Sequence, residues 1–316
     1  MKITVIIPCY NRVNSIARAI ESVLNQTLAA HEIIVVDDGS SDGSDRAVMD
    51  FGDKVTLISQ ENSGAAPARN RAIEMAKGQW IAFLDSDDVW HPQKLEKQAR
   101  ASEICPNAGL VFCDTCTVRS DAVITVSRFA QGGLRENAKV VGDSLFQCDR
   151  KFYSLMLRES RVITSAVMVR RDLPSLVFPE DIWGSEDWAL WLSLILDTAF
   201  VAVDEVLVTM EAANDNLTQG KWQGRLHRND VLVLESFLRD PRLTDEERNT
   251  TQNALRERRG VAIYSSLFRG ENLEARELLK ENTHCGLSRY KCFQYRVLSY
   301  LPSSILRFLG RSRVSM

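Results

Sequence analysis

The chain has 316 residues, enough for one large domain or a domain with a substantial appendage. Its 45% hydrophobic and 26% charged residues are ordinary for a folded globular protein. A net charge of −3 gives no global pull toward nucleic acid, so any handling of anions has to be local. No apolar run reaches the roughly 18 residues of a spanning helix. The opening MKITVIIPCYNR ends its apolar run in Pro and Tyr-Asn-Arg, which reads as a first strand rather than a signal peptide. Seven scattered cysteines, an odd number with no framework spacing, fit reduced thiols and a cytoplasmic protein.

Residues 3–8 (ITVIIP) form a short β-branched run, the pattern of a buried parallel strand. Ile16, Ala19, Ile20, Val23 and Leu24 then recur at helical spacing, with Asn14 or Ser15 as the candidate cap. A second strand over 32–36 ends at Asp37-Asp38-Gly39-Ser40. A helix over 44–51 and a strand over 55–58 follow, then a helix from Pro67 to Lys77 that Gly78 stops. A fourth strand, 80–84, runs into Asp85-Ser86-Asp87-Asp88, before a helix over 92–103 and a strand around 110–112. Cys113-x-x-Cys116, with no second pair and no histidine beside it, reads as that strand running into a turn rather than as a zinc site. This alternation over about 115 residues predicts βαβ units and a doubly wound, mostly parallel α/β sheet with helices on both faces. Ligands of such sheets bind outside the carboxyl ends of the strands, where both acidic clusters lie.

From 116 to about 215 the pattern is less regular, with a strand-like 162–169 and a helix over 185–196. Trp188 and Trp191 on that helix read as core. The segment 213–220 is the candidate linker to a mainly helical extension over 216–316.

Asp85-Ser86-Asp87-Asp88 at a strand exit suits a divalent cation such as Mg²⁺ or Mn²⁺, which takes one or two carboxylates and fills its octahedron with phosphate and water. Taken alone, such a cluster equally terminates a strand and caps the next helix. Four segments together carry more. Val5-Ile6-Ile7-Pro8-Cys9-Tyr10-Asn11-Arg12 and Val35-Val36-Asp37-Asp38-Gly39-Ser40-Ser41-Asp42 come first. Glu61-Asn62-Ser63-Gly64 with Ala68-Arg69-Asn70, and Ala82-Phe83-Leu84-Asp85-Ser86-Asp87-Asp88, follow. In order and spacing these resemble the family 2 glycosyltransferases, inverting enzymes of the GT-A fold. The likeness is dense over 1–115, thinner to about 215, and silent on the tail.

The resemblance implies a catalytic domain over 1–215, with a nucleotide half over about 1–115 and an acceptor half over about 116–215. It implies transfer of a hexosyl or N-acetylhexosaminyl group from a nucleotide-diphosphate sugar, UDP-sugar favoured, to a glycan or lipid-linked glycan. Bacterial surface polysaccharide or glycolipid synthesis is the expected setting. By the same likeness Pro8, Tyr10 and Asn11 wall the base and Asp38 accepts a hydrogen bond from uracil. Arg69 lies near the nucleotide, Asp85 and Ser86 face the donor, and Asp87 is the metal ligand of a DXD motif. In Gly184-Ser185-Glu186-Asp187-Trp188, Asp187 matches the catalytic base and Glu186 its acidic neighbour, although Ser185 followed by two acids is also a plain helix start. Trp183 is the candidate sugar contact.

One departure matters. Many family members carry a histidine beyond the acidic pair, whereas 207–218 here contains none; His31, His91, His227 and His284 lie elsewhere. Either Glu211, Asn214 or Asp215 substitutes, or Asp87 and phosphate suffice. The rival reading is a catalytically weakened nucleotide-sugar-binding module. A nucleotidyltransferase would need a glycine- and lysine-rich triphosphate loop, which Pro8-Cys9-Tyr10-Asn11-Arg12 is not.

Over 286–316 there are Arg289, Lys291, Arg296, Arg307, Arg311 and Arg313 and no acid, interleaved with Tyr290, Phe293, Tyr295, Tyr300 and Phe308. A basic, aromatic, amphipathic end suits either contact with an anionic membrane surface or packing on the domain.

Overall fold

The structure, a computed structural model, describes residues 1–119, 122–131, 133–158, 162–212, 223–269, 271–280, 289–302 and 304–306. Contacts divide it into two compact units. The first comprises Met1–Asp181 and Glu186–Ala213, the second Ile182–Ser185 and Asn214–Met316.

The first unit is built on one sheet of eleven strands. Its parallel part comes from β1 (Ile3–Cys9), β2 (Glu32–Asp37), β3 (Thr56–Ser59) and β4 (Trp80–Phe83), in the order β3-β2-β1-β4. Between them run α1 (Ile16–Leu24), α2 (Ser44–Met49) and α3 (Ala65–Met75). Every residue of β1 is buried, as a strand covered on both faces by helices must be. Pro8 lies beyond the last β1–β4 pair, Ile6 with Phe83, so its missing N–H leaves no ladder bond unmade on that side. α1 buries Ile16, Ala19, Ile20 and Val23 of the predicted face, but Leu24 at its end is exposed and Ser15 makes no cap bond through its side chain.

The sheet continues through strands of the irregular middle. After β5 (Val89–Trp90) and α4 (Lys94–Ile104) come β6 (Ala108–Arg119), β7 (Ala122–Thr125) and α5 (Leu134–Asn137). β8 (Lys139–Gly142), β9 (Leu145–Cys148), α6 (Phe152–Met156), β10 (Val167–Arg170), α7 (Glu186–Asp197) and β11 (Ala199–Glu211) complete the unit. The order continues from β4 as β10-β6-β11-β9-β8. Here only β6 and β11 pair in parallel; β10, β9, β8, β5 and β7 pair antiparallel to their neighbours. The α/β fold class is the predicted one, but the sheet is mixed rather than mostly parallel, because the strands this half adds pair antiparallel except for β6 with β11.

One local expectation fails. The strand through Cys113 does not end in a turn at Cys116 but runs twelve residues to Arg119, because β11 pairs with it along almost its whole length. Cys113 is buried and Cys116 partly so, both as thiols. Trp188 and Trp191 are core, as expected, and Trp191 packs on Phe83 and Phe178.

The second unit carries α8 (Gln223–Phe237), α9 (Asp245–Arg269), α10 (Asn272–Lys280) and α11 (Arg289–Leu298). α9 opens with a capping box: the Thr244 hydroxyl accepts from the Glu247 N–H at 3.2 Å while Glu247 accepts from the Thr244 N–H at 2.8 Å. Among the described residues no helix is long and apolar enough to cross a membrane.

Candidate active site

The loops leaving the carboxyl ends of β1, β2 and β4 are knitted to one another. Asn11 takes a left-handed φ of 50°, which asparagine tolerates better than most residues. Its N–H donates to Ser40 Oγ at 2.9 Å, and its Oδ1 accepts the Ser41 N–H at 2.9 Å. The Arg12 N–H donates to Ser44 Oγ at 2.7 Å and the Val13 N–H to Asp42 Oδ2 at 3.0 Å. The serines and acids after the Asp37-Asp38 pair thereby fix the backbone after Pro8. Tyr10, flanking that segment, is 48% exposed.

Asp38 is only 4% exposed and spends its oxygens on the chain itself. Oδ1 accepts from Gln60 Nε2 at 2.8 Å and from the Ser63 N–H at 2.9 Å, and Oδ2 from the Gly64 N–H at 2.7 Å. A carboxylate offers about four acceptor positions. Asp38 therefore builds the turn before α3 and keeps one Oδ2 position for a further donor. Gly64 holds φ at 100° there, a conformation that suits glycine.

The β4 exit places its acids in three different settings. Asp88 is buried, accepts from Ser165 Oγ at 2.5 Å, and its carboxyl is pushed well up by burial and then by the neighbouring Asp85 and Asp87. The same Ser165 hydroxyl accepts the Asp85 N–H at 3.0 Å, so Ser165 and Asp88 together shape the loop, and Ser86 is buried within it. Asp85 pairs with Arg69 at 2.7 Å. Asp87 stays partly open, its Oδ2 3.5 Å from Arg12 Nε.

Arg69 is the hinge of the site. Sequence alone allowed a surface arginine of α3; instead it is 5% exposed and lies over the Phe178 ring. It donates to Asp85 at 2.7 Å and to Glu186 at 3.2 Å, so one guanidinium joins the β4 exit to the start of α7. Both acids hold its charge in place against burial. Its Nε is buried without a hydrogen-bond partner among the described residues.

Beside Glu186, Asp187 is half-buried. Its Oδ2 accepts from the Thr164 hydroxyl at 2.9 Å and its Oδ1 from the Trp188 N–H at 2.6 Å. Burial, and next the charge of Glu186, push its carboxyl up to about 6, while Arg69, Thr164 and the Trp188 N–H pull the other way. Such a group is mostly ionised at neutral pH yet basic enough to accept a proton.

Residues 4–129 match the profile of glycosyl transferase family 2. A putative teichuronic acid biosynthesis glycosyltransferase of Bacillus subtilis (strain 168) is 32% identical over 228 residues, covering 70% of this chain and 83% of its own length. The chain belongs to glycosyl transferase family 2. A second family member, the UDP-Glc:alpha-D-GlcNAc-diphosphoundecaprenol beta-1,3-glucosyltransferase of Escherichia coli, is 31% identical over 64% of this chain and 73% of its own. An uncharacterised glycosyltransferase of Rickettsia bellii is 30% identical over 69% of this chain, which spans only 30% of that longer protein. The GT-A fold is shared with S. aureus TarS 1–349 in complex with UDP-GlcNAc, at TM-score 0.65 and 18% identity over 89% of this chain and 80% of that one. It is shared too with the mannosyltransferase PcManGT from Pyrobaculum calidifontis in complex with GDP-Man and Mn²⁺, at TM-score 0.56 and 20% identity over 94% and 85%.

For a family 2 enzyme the cation question narrows to few atoms. Asp87 is a hard-oxygen donor, and the guanidinium beside it shows that its carboxylate already attracts positive charge, so it fits one vertex of a Mg²⁺- or Mn²⁺-type octahedron. Asp85 and Asp88 are committed to Arg69 and Ser165. Glu211, a candidate replacement for the family histidine, pairs with Arg18. Asn214 and Asp215 lie outside the described residues. Among the described residues no three His, Cys, Asp or Glu side chains form a ready-made metal cluster.

Arg12, Thr164 and Ser165 touch the site acids yet were not among the sequence-derived candidates. Arg12 could have been read from its place directly after Tyr10-Asn11. Thr164 and Ser165 carried no signal, since a strand pattern over 162–169 does not reveal the 3₁₀ turn, 164–166, that brings them in.

Proposed function

We propose that this glycosyltransferase is an inverting, cation-dependent enzyme. It transfers a hexosyl or N-acetylhexosaminyl group from a UDP-sugar to a hydroxyl of a glycan or lipid-linked glycan. The setting is bacterial surface-polysaccharide assembly at the cytoplasmic face of the membrane. The observation that carries this is Asp187: a carboxylate with its pKa raised toward neutrality, linked through Glu186 and Arg69 to Asp85 at the donor loop.

The acceptor hydroxyl oxygen forms its bond to the anomeric carbon as the bond from that carbon to the diphosphate oxygen breaks. The electron pair leaves with the diphosphate and the hydroxyl proton passes to Asp187. A bound Mg²⁺ or Mn²⁺ supplies charge neutralisation for the diphosphate. On the protein side, Asp87 holds the ion, Asp85 and Ser86 face the donor, and Pro8, Tyr10 and Asn11 wall the base. The free Oδ2 position of Asp38 accepts the uracil N–H. Arg69 keeps donor loop and base helix in register. Relatives and structural neighbours support the donor and acceptor classes, since they include a UDP-Glc enzyme acting on a diphosphoundecaprenol-linked sugar and a UDP-GlcNAc complex.

For α11 we infer contact with an anionic membrane surface. Tyr290, Phe293 and Val297 are exposed at i, i+3 and i+7, one helical face, and Tyr300 is exposed in the turn that follows, in a segment without acids. The rest of the basic end, 307–316, lies outside the described residues. Anionic vesicles should co-sediment the protein and lose it when Phe293 and Tyr300 become serine; equal sedimentation of both would remove this part.

Asp187→Asn decides the main reading. It should cut transfer by about 10²–10⁴-fold, the contribution of a positioned general base, with UDP affinity nearly intact. Asp87→Ala should instead abolish cation-dependent UDP binding. A catalytically weakened binding module would show the second effect without measurable transfer by the parent protein.

A further inference from the structure

One short turn meets both groups of acids in the site. Thr164, Ser165 and Ala166 form a 3₁₀ turn leading into β10, and all three are buried. The Thr164 hydroxyl donates to Asp187 Oδ2 at 2.9 Å. The next side chain, Ser165, accepts the Asp85 N–H at 3.0 Å and donates to Asp88 Oδ2 at 2.5 Å. Adjacent residues therefore hold the start of α7 and the loop leaving β4.

The back of the turn is held as closely as its front. The Ser165 carbonyl accepts from Trp90 Nε1 at 2.8 Å and the Ala166 carbonyl from Gln98 Nε2 at 2.7 Å. Lys94 of α4, fully buried, ties these two donors together. Its ammonium donates to Gln98 Oε1 at 2.8 Å and lies 3.8 Å from the centre of the Trp90 ring. Burial brings that ammonium down to about 8, so the arrangement is costly for a group that only fills space. With the carbonyls fixed, the hydroxyls in front keep little freedom beyond rotation about χ1, and threonine is stiff there.

The Thr164 bond also decides how the Asp187 carboxylate lies. Asp187 Oδ1 already accepts the Trp188 N–H, and a bond to Oδ2 removes the remaining rotation about a torsion that is otherwise broad. Displacing a reacting group by about 1 Å can cost 10²-fold in rate, so a fraction of that matters.

We propose that Thr164 is a positioning residue for the acceptor base and Ser165 one for the donor loop, so that a single buttressed turn sets the carboxylate of Asp187 relative to the loop at Asp85. The proposal rests on Asp187 being the base.

Steady-state kinetics across pH and UDP titration on the full chain test it, with thermal unfolding to confirm that each variant is folded. Thr164→Val keeps the shape of the side chain and deletes its hydroxyl. It should lower plateau kcat about tenfold and leave UDP affinity unchanged. It should also move the acid limb of kcat up by about one pH unit. A bond that favours the ionised carboxylate is then lost, while Glu186 and Arg69, the charged groups facing it, remain. Thr164→Ser keeps the hydroxyl and should return most of kcat and the original limb. Ser165→Ala should do the converse, weakening UDP binding about fivefold with the limb in place. A folded Thr164→Val with kcat and limb unchanged overturns the proposal. So does a Ser variant as impaired as the Val variant, since packing and not the hydroxyl would then be responsible. Parallel losses of kcat and UDP affinity in both Thr164→Val and Ser165→Ala overturn it as well, by reducing the turn to general support. Asp187→Asn is measured alongside. If it transfers sugar normally, the reading of Asp187 is what has failed; if it is inactive while Thr164→Val is normal, the failure belongs to this proposal alone.

Discussion

The donor side and the acceptor side of this site are built on different terms. On the donor side, Asn11 is bonded to Ser40 and Ser41, Ser44 to Asp42, and Asp38 to Ser63 and Gly64 of the turn before α3. On the acceptor side, Asp187 is held by Thr164 and by the Trp188 N–H, beside a Glu186 that Arg69 ties to Asp85. The first arrangement is local and rich in hydrogen bonds. The second is assembled from distant pieces of chain and leaves its key carboxylate half-buried and costly to ionise.

The sharpest way to break the contrast is to remove the one side chain that belongs to both sides. Arg69→Ala leaves Glu186 buried and Asp85 without its partner, and deleting one member of a buried ion pair costs about 3–5 kcal/mol. Thermal unfolding should fall accordingly, and donor binding and turnover should fail together. Arg69→Lys keeps the charge but not the fork that reaches two acids, and should restore stability in part and turnover hardly at all. If Arg69→Ala left turnover intact, the two sides would be independent.

A second, intermediate effect separates them by pH. Asp187 must be ionised to accept a proton, and its carboxyl is raised to about 6 from an ordinary value near 4. Turnover should therefore fall tenfold per unit as pH drops below about 6, while UDP affinity holds over the same range. Repeating the profile with Glu186→Gln removes a neighbouring negative charge and should move the limb to lower pH. A limb that stays in place would remove Glu186 from the causes of the shift.

The same contrast explains what the sequence disclosed. Asp38, Asp85 and Asp87 were legible because they follow short strands in fixed order, and the strands declare themselves by apolar runs between turn residues. The Glu186-Asp187 pair was legible by resemblance alone, since two acids at a helix start look like dipole compensation. The length of β6 was not legible, because what extends it past Cys116 is β11, ninety residues away. Nor was Ser165, which meets Asp85 and Asp88 some eighty residues away and shows no local pattern.

The smallest effect concerns the donor side alone and asks whether Arg12 stands where a cation would. Its Nε is 3.5 Å from Asp87 Oδ2, and both side chains are about a quarter exposed, so the pair contributes at most about 1 kcal/mol. A cation arriving without nucleotide must displace that contact. Arg12→Ala should therefore tighten Mn²⁺ binding to the nucleotide-free protein by up to about fivefold, the factor corresponding to that energy. In saturating UDP the gain should vanish or reverse, since the diphosphate supplies oxygens of its own and a nearby guanidinium then favours the anion. Electron paramagnetic resonance of free Mn²⁺ reads both cases without any turnover. Weaker Mn²⁺ binding in the nucleotide-free variant would mean that Arg12 orients Asp87 for the cation instead of competing with it.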